Sequence, residues 1–337
     1  MDKNHPILGF FVSWIREFSK NFDEVHVVAL EVGIYNLPSN VTVYSLGKED
    51  GENNLKYLWR FYLYFLKIFF FTRVDYVLFH MGAIYNILAA PFFLCRHFFD
   101  TKFFWWKTHG HINWQGRLAL SFVDRVYTAS AESFPINTKK RHVVGHAIDV
   151  ELFSPFGNIM REKRILFTGR LTRSKRIEVI VELAKFLKER GVEVPVRIIG
   201  PVIDKDYVNS LKELVQNHEL DDLVTFLPPL NQPELIKEYE AAEIFINPSN
   251  TGSIDKTVLE AMAMGAIPLT DNPAFMRMLG EFQLFTKKGD SENLLTSVLR
   301  ILDLPNEVKN DLRNKLRNIV MSQHSLKTLS QRIFPVV

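Results

Sequence analysis

The stretch that decides the fold runs from Asn247 to Thr270 and reads NPSNTGSIDKTVLEAMAMGAIPLT. It follows an apolar run, Ala242 to Ile246, which predicts a buried strand, and its own last residues predict another. Between the two strands we predict a small-residue loop and a helix from Ser253 to Met264. Ser253 suits the N-cap, and Gly265 suits the left-handed residue that ends a helix. The amides at the start of this helix predict an anion site.

Glu260 lies nearly two turns into the predicted helix, among leucine, alanine and methionine residues. The preceding loop has no bulky side chains, so the backbone amides from Ser253 to Thr257 can approach a ligand. Glu260 is then either a solvated residue on a capped helix between two strands or an acceptor for the hydroxyl groups of a ligand. The sequence alone leaves both interpretations open.

The composition is that of a globular protein of two domains. The chain has 337 residues, 47% hydrophobic and 23% charged, which is enough for two cores. A formal net charge of +3 is too small to indicate a nucleic-acid partner. The single cysteine, Cys95, and the lack of a signal-peptide pattern after Met1 predict a cytoplasmic protein without disulfides.

Strand and helix patterns alternate along the chain and predict parallel sheets. In the first half no strand pattern precedes Gly9. An α/β domain of this kind normally starts with a strand, and the glycine-containing loop that binds ligands follows that strand. We therefore expect the first sheet to lack a central strand or to recruit one elsewhere. We also expect the chain to be truncated or to start later than its relatives.

The segment 54–73 predicts a helix rich in aromatic residues. Lys56, Arg60 and Lys67 are four and seven residues apart, so they form one basic stripe. Three charges within fewer than twenty apolar residues exclude a transmembrane helix. The helix either packs on the sheet with its charges outward or lies on an anionic bilayer surface, which would place the protein at the inner face of the membrane.

Two further loops carry polar groups at the predicted carboxyl ends of strands. Gly169-Arg170-Leu171-Thr172-Arg173-Ser174-Lys175 follows a strand, and its two cations, Arg170 and Lys175, can neutralise a diphosphate. The alternative is a solvated basic turn. His109 and His111 follow a strand of aromatic residues, and either is a candidate for chemistry or a surface imidazole.

Several common sites lack their sequence marker. There is no Asp-x-Asp on an apolar hairpin, and no histidine or cysteine cluster has the spacing of metal ligands. A Gly-x-x-x-x-Gly-Lys-Ser loop and a Gly-x-Gly-x-x-Gly after a first strand are also absent. We therefore expect no metal and no cofactor.

Four motifs in their order along the chain carry a resemblance to the retaining glycosyltransferases of family 4. The first is Asp124-x-Val126-x-x-x-Ser130, and the second begins Gly145-His146-Ala147-Ile148-Asp149, with alanine where the family has glycine. The third is the Gly-Arg-Leu-x-x-x-Lys of residues 169–175. The fourth is the loop after Pro248-Ser249 with a helix that reads Leu-Glu-Ala-Met-Ala-x-Gly-x-Pro.

The resemblance implies a nucleotide-sugar as donor and a glycan or lipid-linked acceptor, with metal-independent transfer that retains the anomeric configuration. It implies that Arg170 and Lys175 stabilise the leaving diphosphate, that Glu260 holds the ribose and that His109, with His111 in reserve, lines the reaction centre. Backbone and side-chain contacts to the donor are implied for a larger set: Gly9, Gly169, Gly200, Leu227, Gly252, Ser253, Ile254, Asp255 and Lys256. The family usually has a second glutamate that grips the donor sugar, and Gly252 stands at that position, with Asp255 and Lys256 as replacement contacts.

The fold implied is α/β of the GT-B type, with two doubly wound Rossmann-like domains that face a cleft. We predict an acceptor-side domain over 1–155, a nucleotide-sugar-binding domain over 156–315 and a C-terminal helix over 316–337 that crosses back to the first domain. A nucleotide-sugar epimerase, a non-catalytic nucleotide-sugar-binding protein and a membrane-associated scaffold remain as alternatives.

Overall fold

A computed structural model describes residues 1–3, 5, 8–51, 53–155, 161–249 and 251–334. The chain forms two compact units, which we call unit 1, made of Met1–Ala147 and Leu326–Val337, and unit 2, made of Ile148–Ser325. The sequence places the change of domain at 155/156 instead, and residues 156–160 of the predicted boundary loop lie outside the described residues. The segment 316–337, predicted as one helix, is divided between the two units.

The helices and strands of the first part of the chain alternate. They are α1 (Phe11–Ser19), β1 (Val25–Ala29), β2 (Val41–Ser45), α2 (Asn54–Phe71), β3 (Tyr76–His80), α3 (Ala83–Leu88), α4 (Ala90–Cys95), β4 (Lys102–Trp106), α5 (Trp114–Ala119), β5 (Arg125–Thr128) and β6 (Arg141–Val143). The second part continues with β7 (Glu162–Thr168), α6 (Glu178–Glu189), β8 (Val196–Ile199), α7 (Lys205–Asn217), β9 (Val224–Leu227), α8 (Gln232–Ala241), β10 (Ala242–Asn247), α9 (Lys256–Met264), β11 (Ile267–Thr270), α10 (Met276–Leu279), α11 (Ser291–Asp303), α12 (Asn306–Ile319) and α13 (Leu326–Ile333). Short 3-10 helices lie at Lys48–Asp50, Arg96–Phe98, Leu120–Phe122, Arg173–Lys175, Pro273–Phe275 and Gly280–Phe282, and a π-helical turn lies at Val320–His324.

Unit 1 has two separate parallel sheets. One contains β1 and β2, and the other has the order β3-β4-β5-β6. Among the described residues no strand precedes α1. A doubly wound domain needs such a strand at its centre, because the strand joins the two halves of the sheet.

Side chains of β4 alternate between the two faces of its sheet and divide the core of unit 1 into two clusters. Phe103 and Trp105 pack in a cluster with residues of α2, including Phe61 and Phe69. Phe104 and Trp106 pack in the other cluster, with residues of α1 and α13. The helices α1 and α2 therefore cover opposite faces of the sheet, and α13 joins α1 on its face.

The helix α2 exposes much more apolar surface than a helix packed on a sheet needs to. Leu55, Trp59, Leu63, Leu66 and Phe70 are all exposed, with values of 74% for Leu55 and 64% for Trp59. Trp59 and Phe70 lie beside the basic stripe that the sequence predicted, and both are exposed. Across the described ranges, none of the helices combines the length and the apolar character that spanning a bilayer requires.

Unit 2 has one parallel sheet with the order β11-β10-β7-β8-β9. The chain builds outward from β7 to β8 and β9, and then returns to the other side of β7 with β10 and β11. The loops after β7 and β10 therefore diverge at this switch of direction, where open α/β sheets bind their ligands. All six residues of β10 are buried, as expected for a strand with helices on both faces.

The helix α9 after the opening stretch begins later than predicted. Its first residue is Lys256 and its N-cap is Asp255, so Ser253 as N-cap is wrong. The side chain of Asp255 makes no capping hydrogen bond, because a buried lysine binds it instead. At the other end Gly265 has φ of 82°, which confirms the predicted left-handed residue.

Candidate functional site

Lys175 and Asp255 form an ion pair at the switch of the unit 2 sheet. Lys175 ends the 3-10 turn after β7, and Asp255 ends the loop after β10. The Lys175 Nζ lies 2.6 Å from Asp255 Oδ1 and also donates to Ser249 Oγ at 3.1 Å. Lys175 is only 7% exposed, which excludes the solvated basic turn for this residue. The pair holds an ammonium group at a fixed place beside the start of α9.

Glu260 is buried, 5% exposed, and both of its oxygens are held. Glu260 Oε2 accepts a hydrogen bond from the Tyr239 hydroxyl at 3.0 Å, and Glu260 Oε1 lies 3.0 Å from Lys256 Nζ. The Tyr239 hydroxyl lies 2.8 Å from Thr168 Oγ1 at the end of β7. Burial, with the neighbouring Glu260 carboxylate, raises the pKa of Tyr239 well above its usual value. Glu260 is therefore an oriented acceptor, and the solvated alternative is excluded.

Gly169 and Gly200 bring the loops after β7 and β8 into contact. Gly200 has φ of 152°, and a Cβ built there would lie 1.9 Å from the Gly169 carbonyl oxygen. The Gly169 N–H donates to Ile199 O at 3.0 Å, and the Gly200 N–H donates to Leu227 O at 3.3 Å. No side chain fits at position 200, so these loops present bare backbone at the carboxyl edge of the sheet.

The loop before α9 carries the other predicted donor contacts. Gly252 has φ of +65° and faces open space where a Cβ would stand. The Ser253 carbonyl oxygen accepts a hydrogen bond from Asn272 Nδ2 at 2.9 Å, and Ile254 is buried. Asp255 and Lys256, predicted as replacements for a glutamate at 252, are engaged with Lys175 and Glu260. Asn250 lies outside the described residues.

Arg170 differs from Lys175 in its surroundings. It follows Gly169 directly, and its side chain is exposed. Three residues on, Arg173 pairs with Asp204 at 3.3 Å with 70% of its side chain exposed. The solvated basic turn therefore describes Arg173 and also fits the exposed side chain of Arg170, which directly follows Gly169.

Two aspartates of this region go beyond the sequence prediction. Asp271 was not among the predicted site residues, and Asp255 was predicted without its partner. Arg176, with φ of +49°, donates to Asp271 Oδ2 at 2.6 Å. The second oxygens, Asp255 Oδ2 and Asp271 Oδ1, are buried without a hydrogen-bond partner among the described residues. Asp271 follows β11 directly, and this position at a strand end is the signal that could have identified it.

Unit 1 contains the remaining candidates. His109 and His111 are exposed in the loop after β4, and the His111 N–H donates to His109 Nδ1 at 3.1 Å. Gly9 precedes α1, where a Cβ would lie 2.6 Å from the Lys3 carbonyl oxygen. These three residues belong to a different unit from Arg170 and Lys175.

His80, at the end of β3, is a titratable group that the sequence did not single out. Its ring lies 4.6 Å from that of Phe11 and 5.8 Å from that of Trp14, measured between centroids. Burial, with the nearby Lys107 ammonium, lowers the pKa of His80 to about 4. Burial also lowers the pKa of Lys107. Among the residues that the structure describes, no three histidine, cysteine or acidic side chains form a cluster suited to a metal ion.

The chain matches known proteins both in amino-acid sequence and in three-dimensional fold. Residues 150–319, half of the chain, match the family model described as glycosyl transferases group 1. A D-inositol 3-phosphate glycosyltransferase of Pseudarthrobacter chlorophenolicus is 38% identical over 103 residues, which cover 30% of this chain and 24% of that protein. An alpha-monoglucosyldiacylglycerol synthase of Streptococcus pneumoniae is 30% identical over 172 residues, which cover 50% of this chain and 38% of that protein. The matched part thus spans well under half the length of these curated relatives.

Solved structures match nearly the whole chain. The Anabaena protein Alr3699/HepE, crystallised with UDP, has a TM-score of 0.74 at 14% identity, and the match covers 98% of this chain and 96% of that one. The sucrose-phosphate synthase of Thermosynechococcus elongatus has a TM-score of 0.73 at 15% identity, and the match covers 99% of this chain and 96% of that one. Structural similarity at so low a sequence identity shows the fold alone. It confirms the GT-B fold that was predicted from the sequence.

Proposed function

The chain belongs to the glycosyl transferases of group 1, and we propose that it transfers a sugar from a nucleotide-sugar of the UDP or GDP type to a glycan or lipid-linked acceptor. We further propose that the reaction retains the anomeric configuration, as in family 4, and needs no metal ion. The observation that carries the proposal is the set of charges at the switch of the unit 2 sheet: the ammonium of Lys175 is fixed by Asp255, the N-cap of α9, and α9 carries the buried carboxylate of Glu260.

In this proposal Lys175 and Arg170 stabilise the charge on the departing diphosphate. A cation that is already held in place needs little reorganisation when negative charge develops, and this is the main source of electrostatic catalysis. The ion pair with Asp255 supplies such a hold for Lys175. Arg170 adds a second, exposed cation next to the bare backbone of Gly169, and the first amides of α9 add a partial positive charge.

Glu260 is assigned to the ribose hydroxyls of the donor. Because the pKa of Tyr239 is raised, its hydroxyl stays protonated and donates to Glu260, which leaves the carboxylate as the acceptor. Each carboxylate oxygen can accept more than one hydrogen bond. The backbone around Gly200 and Leu227 is assigned to the base, and the loop from Gly252 to Lys256 to the phosphates and the sugar.

The named relatives favour a uridine nucleotide, and one of the two curated relatives favours a lipid-type acceptor, whereas the other is named for inositol 3-phosphate. Solved structures of Anabaena Alr3699/HepE contain UDP and UDP-glucose. The synthase of Streptococcus pneumoniae is named for a glucosylated diacylglycerol. His109, with His111 in reserve, stays a prediction for the reaction centre, and Gly9 stays one for the donor.

We also propose that the acceptor is reached at an anionic bilayer surface. The exposed apolar side chains of α2 (Leu55, Trp59, Leu63, Leu66 and Phe70) form what we call the α2 stripe. At 100° per residue Lys56, Arg60 and Lys67 lie along one flank of the α2 stripe, and the helix contains no acidic residue. An apolar surface with a cationic flank is typical of helices that lie on anionic membranes. A position at the inner face of the membrane remains a prediction.

A nucleotide-release assay tests the enzymatic proposal. UDP-, GDP-, ADP- and TDP-sugars are each supplied with and without EDTA to the wild type, Glu260→Gln and Arg170→Ala. Arg173→Ala serves as the matched control, because Arg173 is an exposed arginine of the same turn. We expect release from one donor in the presence of EDTA, and a fall of about 100-fold in Arg170→Ala, as for the loss of one charge-stabilising donor. Glu260→Gln should weaken donor binding, and Arg173→Ala should behave as the wild type.

Other outcomes separate the alternatives. Donor binding without release would favour the non-catalytic nucleotide-sugar-binding protein, which Gly252 in place of the family's glutamate makes the second candidate. Conversion of the donor sugar without an acceptor would favour an epimerase. Loss of release in EDTA would contradict the metal-independent mechanism, and the absence of donor binding would overturn the assignment of the site.

A further inference from the structure

Three hydrogen-bond donors of unit 1 converge on Met81, the residue after β3. Lys107 Nζ lies 3.5 Å from the Met81 carbonyl oxygen. The backbone nitrogen and the hydroxyl oxygen of Thr108 lie 3.4 Å and 3.6 Å from Met81 Sδ. Lys107 and Thr108 directly follow β4, which pairs with β3. All three donors are therefore at the carboxyl edge of the sheet, where α/β domains bind their ligands.

The acceptors that these donors meet are weak. A thioether sulfur is a poor acceptor, and a carbonyl oxygen 3.5 Å away is at the limit of a hydrogen bond. The same carbonyl oxygen also accepts a hydrogen bond from Trp105 Nε1 at 3.4 Å. The described residues therefore leave much of the hydrogen-bonding capacity of the three donors unused.

Lys107 carries a charge that no acidic side chain balances among the residues that the structure describes. It is half-buried, and burial is the cause that lowers its pKa. The loops 81–82 and 107–113, after β3 and β4, contain no acidic residue. A half-buried cation without a counter-ion loses hydration free energy, and a bound anion compensates for that loss.

The backbone of Met81 is strained at the same place. Its φ is +62°, in the left-handed region that residues other than glycine seldom adopt. Two hydrogen bonds hold the turn: the Met81 N–H donates to the Trp106 carbonyl oxygen at 2.8 Å, and the Gly82 N–H donates to the His80 carbonyl oxygen at 2.7 Å. Strain of this kind is concentrated at binding and catalytic sites.

An apolar surface lies on the same face of the sheet as Lys107. Lys107 Nζ lies over the Trp105 ring, 5.9 Å from its centroid, and a Cβ at Gly116 of α5 would be 3.7 Å from that ring. Trp114 and Leu118 are about one turn apart on α5, and they are 69% and 41% exposed. We call these two residues the α5 pair.

We propose that Lys107 and Thr108 bind a phosphate group of the sugar acceptor, and that the part of the acceptor attached to this phosphate packs on the α5 pair. This inference rests on the proposed transferase function. Three converging donors suit a phosphate group, which has three strong acceptor oxygens, better than a carboxylate, which has two. The phosphate belongs either to a lipid or to a water-soluble sugar phosphate. His109, predicted for the reaction centre, directly follows Thr108.

Binding calorimetry with three probes tests the site. The probes are dihexanoyl phosphatidic acid below its micelle concentration, glycerol 3-phosphate as a water-soluble phosphate, and dihexanoylglycerol as the same lipid without phosphate. The variants are Lys107→Met, which removes the charge and keeps a long side chain, Lys107→Arg, which keeps the charge, and Trp114→Ala. Lys102→Met is the matched control, because Lys102 is an exposed lysine at the opposite end of β4.

We expect Lys107→Met to weaken the binding of both phosphate probes by about tenfold or more, as for the loss of a hydrogen bond to a charged group. Lys107→Arg and Lys102→Met should bind both phosphate probes as the wild type does, and dihexanoylglycerol should bind much more weakly than the phosphatidic acid. Lys107→Met should unfold at the wild-type midpoint or above it, because it removes a half-buried charge. A loss of binding in Lys107→Met is then not a loss of folding.

The two phosphate probes distinguish the two sources. Tighter binding of the phosphatidic acid than of glycerol 3-phosphate assigns the phosphate to a lipid acceptor, and equal binding assigns it to a water-soluble one. Affinities unchanged in Trp114→Ala would contradict the contact with the α5 pair. Phosphate binding that is absent from the wild type, or equal in the wild type and Lys107→Met, would overturn the inference.

The nucleotide-release assay separates this inference from the proposed function. Release by the wild type, together with phosphate binding that does not depend on Lys107, would overturn the acceptor site and leave the transferase proposal intact. Phosphate binding through Lys107 without release from any donor would contradict the transferase proposal, and the site would then bind a phosphate that is not part of an acceptor.

Discussion

Lys175 and Asp255 are eighty positions apart and meet because their strands, β7 and β10, are neighbours in the sheet. The sequence identified Lys175 as a cation for the diphosphate and Asp255 as a loop contact, but it did not pair them. Their pairing explains how a lysine can be buried at this edge, since a buried charge needs a partner. The other oxygen of Asp255, Oδ2, is buried without a hydrogen-bond partner among the described residues.

At the residue scale, Gly200 and Gly252 form a matched pair for mutation to alanine. Both have φ in the left-handed half of the map, but a Cβ at 200 meets the Gly169 backbone and a Cβ at 252 meets nothing within 4 Å. We expect Gly252→Ala to cost about 1 kcal/mol, from its φ alone. Gly200→Ala should cost about 3 kcal/mol or more, because two backbone segments must separate.

Thermal unfolding followed by circular dichroism measures the difference. The midpoint should fall by roughly 3 °C in Gly252→Ala and by roughly 10 °C in Gly200→Ala. Gly200→Ala should also weaken UDP binding in calorimetry, since it displaces the backbone of Gly169. Similar midpoints for the two variants would show that the loops after β7 and β8 are not in contact as described.

His80 predicts a pH dependence of unit 1. Its pKa is lowered to about 4 by burial, so between its ordinary value near 6.5 and about 4 the unfolded chain binds a proton that the folded chain does not. The contribution of His80 to the free energy of unfolding is therefore fully present above about pH 6.5. It is lost as the pH falls towards 4, and the loss amounts to roughly 3 kcal/mol.

His80→Gln removes this titration while keeping a polar side chain. We expect the difference in stability between pH 7 and pH 4.5, followed by the fluorescence of unit 1 tryptophans such as Trp14, to shrink in His80→Gln relative to the wild type. His142→Gln is the control, because His142 is a half-buried histidine of unit 1 whose pKa is also lowered by burial. A pH dependence unchanged in His80→Gln would contradict the burial of a neutral imidazole.

At the element scale, α2 shows where helical periodicity misleads. The repeat of Lys56, Arg60 and Lys67 correctly predicted a helix, which spans Asn54–Phe71, with its cations on one side. Its apolar residues occur all around the helix, so the pattern could not tell which of them face the core. The packing of Phe61 and Phe69 on the sheet leaves the α2 stripe outside.

The double variant Trp59→Glu, Leu63→Glu tests the role of the α2 stripe. We expect it to reduce sedimentation with phosphatidylglycerol vesicles at least tenfold, because it removes apolar area and adds negative charge beside the cations. Val308→Glu on α12 is the matched control, since Val308 is an exposed apolar residue of unit 2. Wild-type binding should weaken with salt and on phosphatidylcholine vesicles.

Circular dichroism of both variants shows whether the fold is kept. Equal vesicle binding by the double variant and the wild type would contradict the proposed membrane contact while leaving the transferase proposal intact. Loss of binding in Val308→Glu as well would show that the effect comes from net charge rather than from the α2 stripe.

At the scale of the whole molecule, the division into units follows packing rather than sequence pattern. The chain enters unit 2 at Ile148, before the predicted boundary loop, because the Ile148 N–H donates to the His324 carbonyl oxygen within unit 2. Near its end the π-helical turn Val320–His324 interrupts the predicted tail helix, and α13 then packs with Trp14 and Phe18. Both features depend on partners more than a hundred residues away.

The sequence by itself determined the alternation of strands and helices, the family motifs, the loop that carries Arg170 and Lys175 and the helix that carries Glu260. Those features are local, because periodicity, glycine positions and motif spacing act within a few residues. Only the tertiary structure decided that Lys175 is buried against Asp255, that Tyr239 holds Glu260, which side of α2 is exposed and that β1–β2 and β3–β6 form separate sheets. These depend on strand order and on burial, which arise from contacts between distant parts of the chain and leave no periodic trace in the sequence.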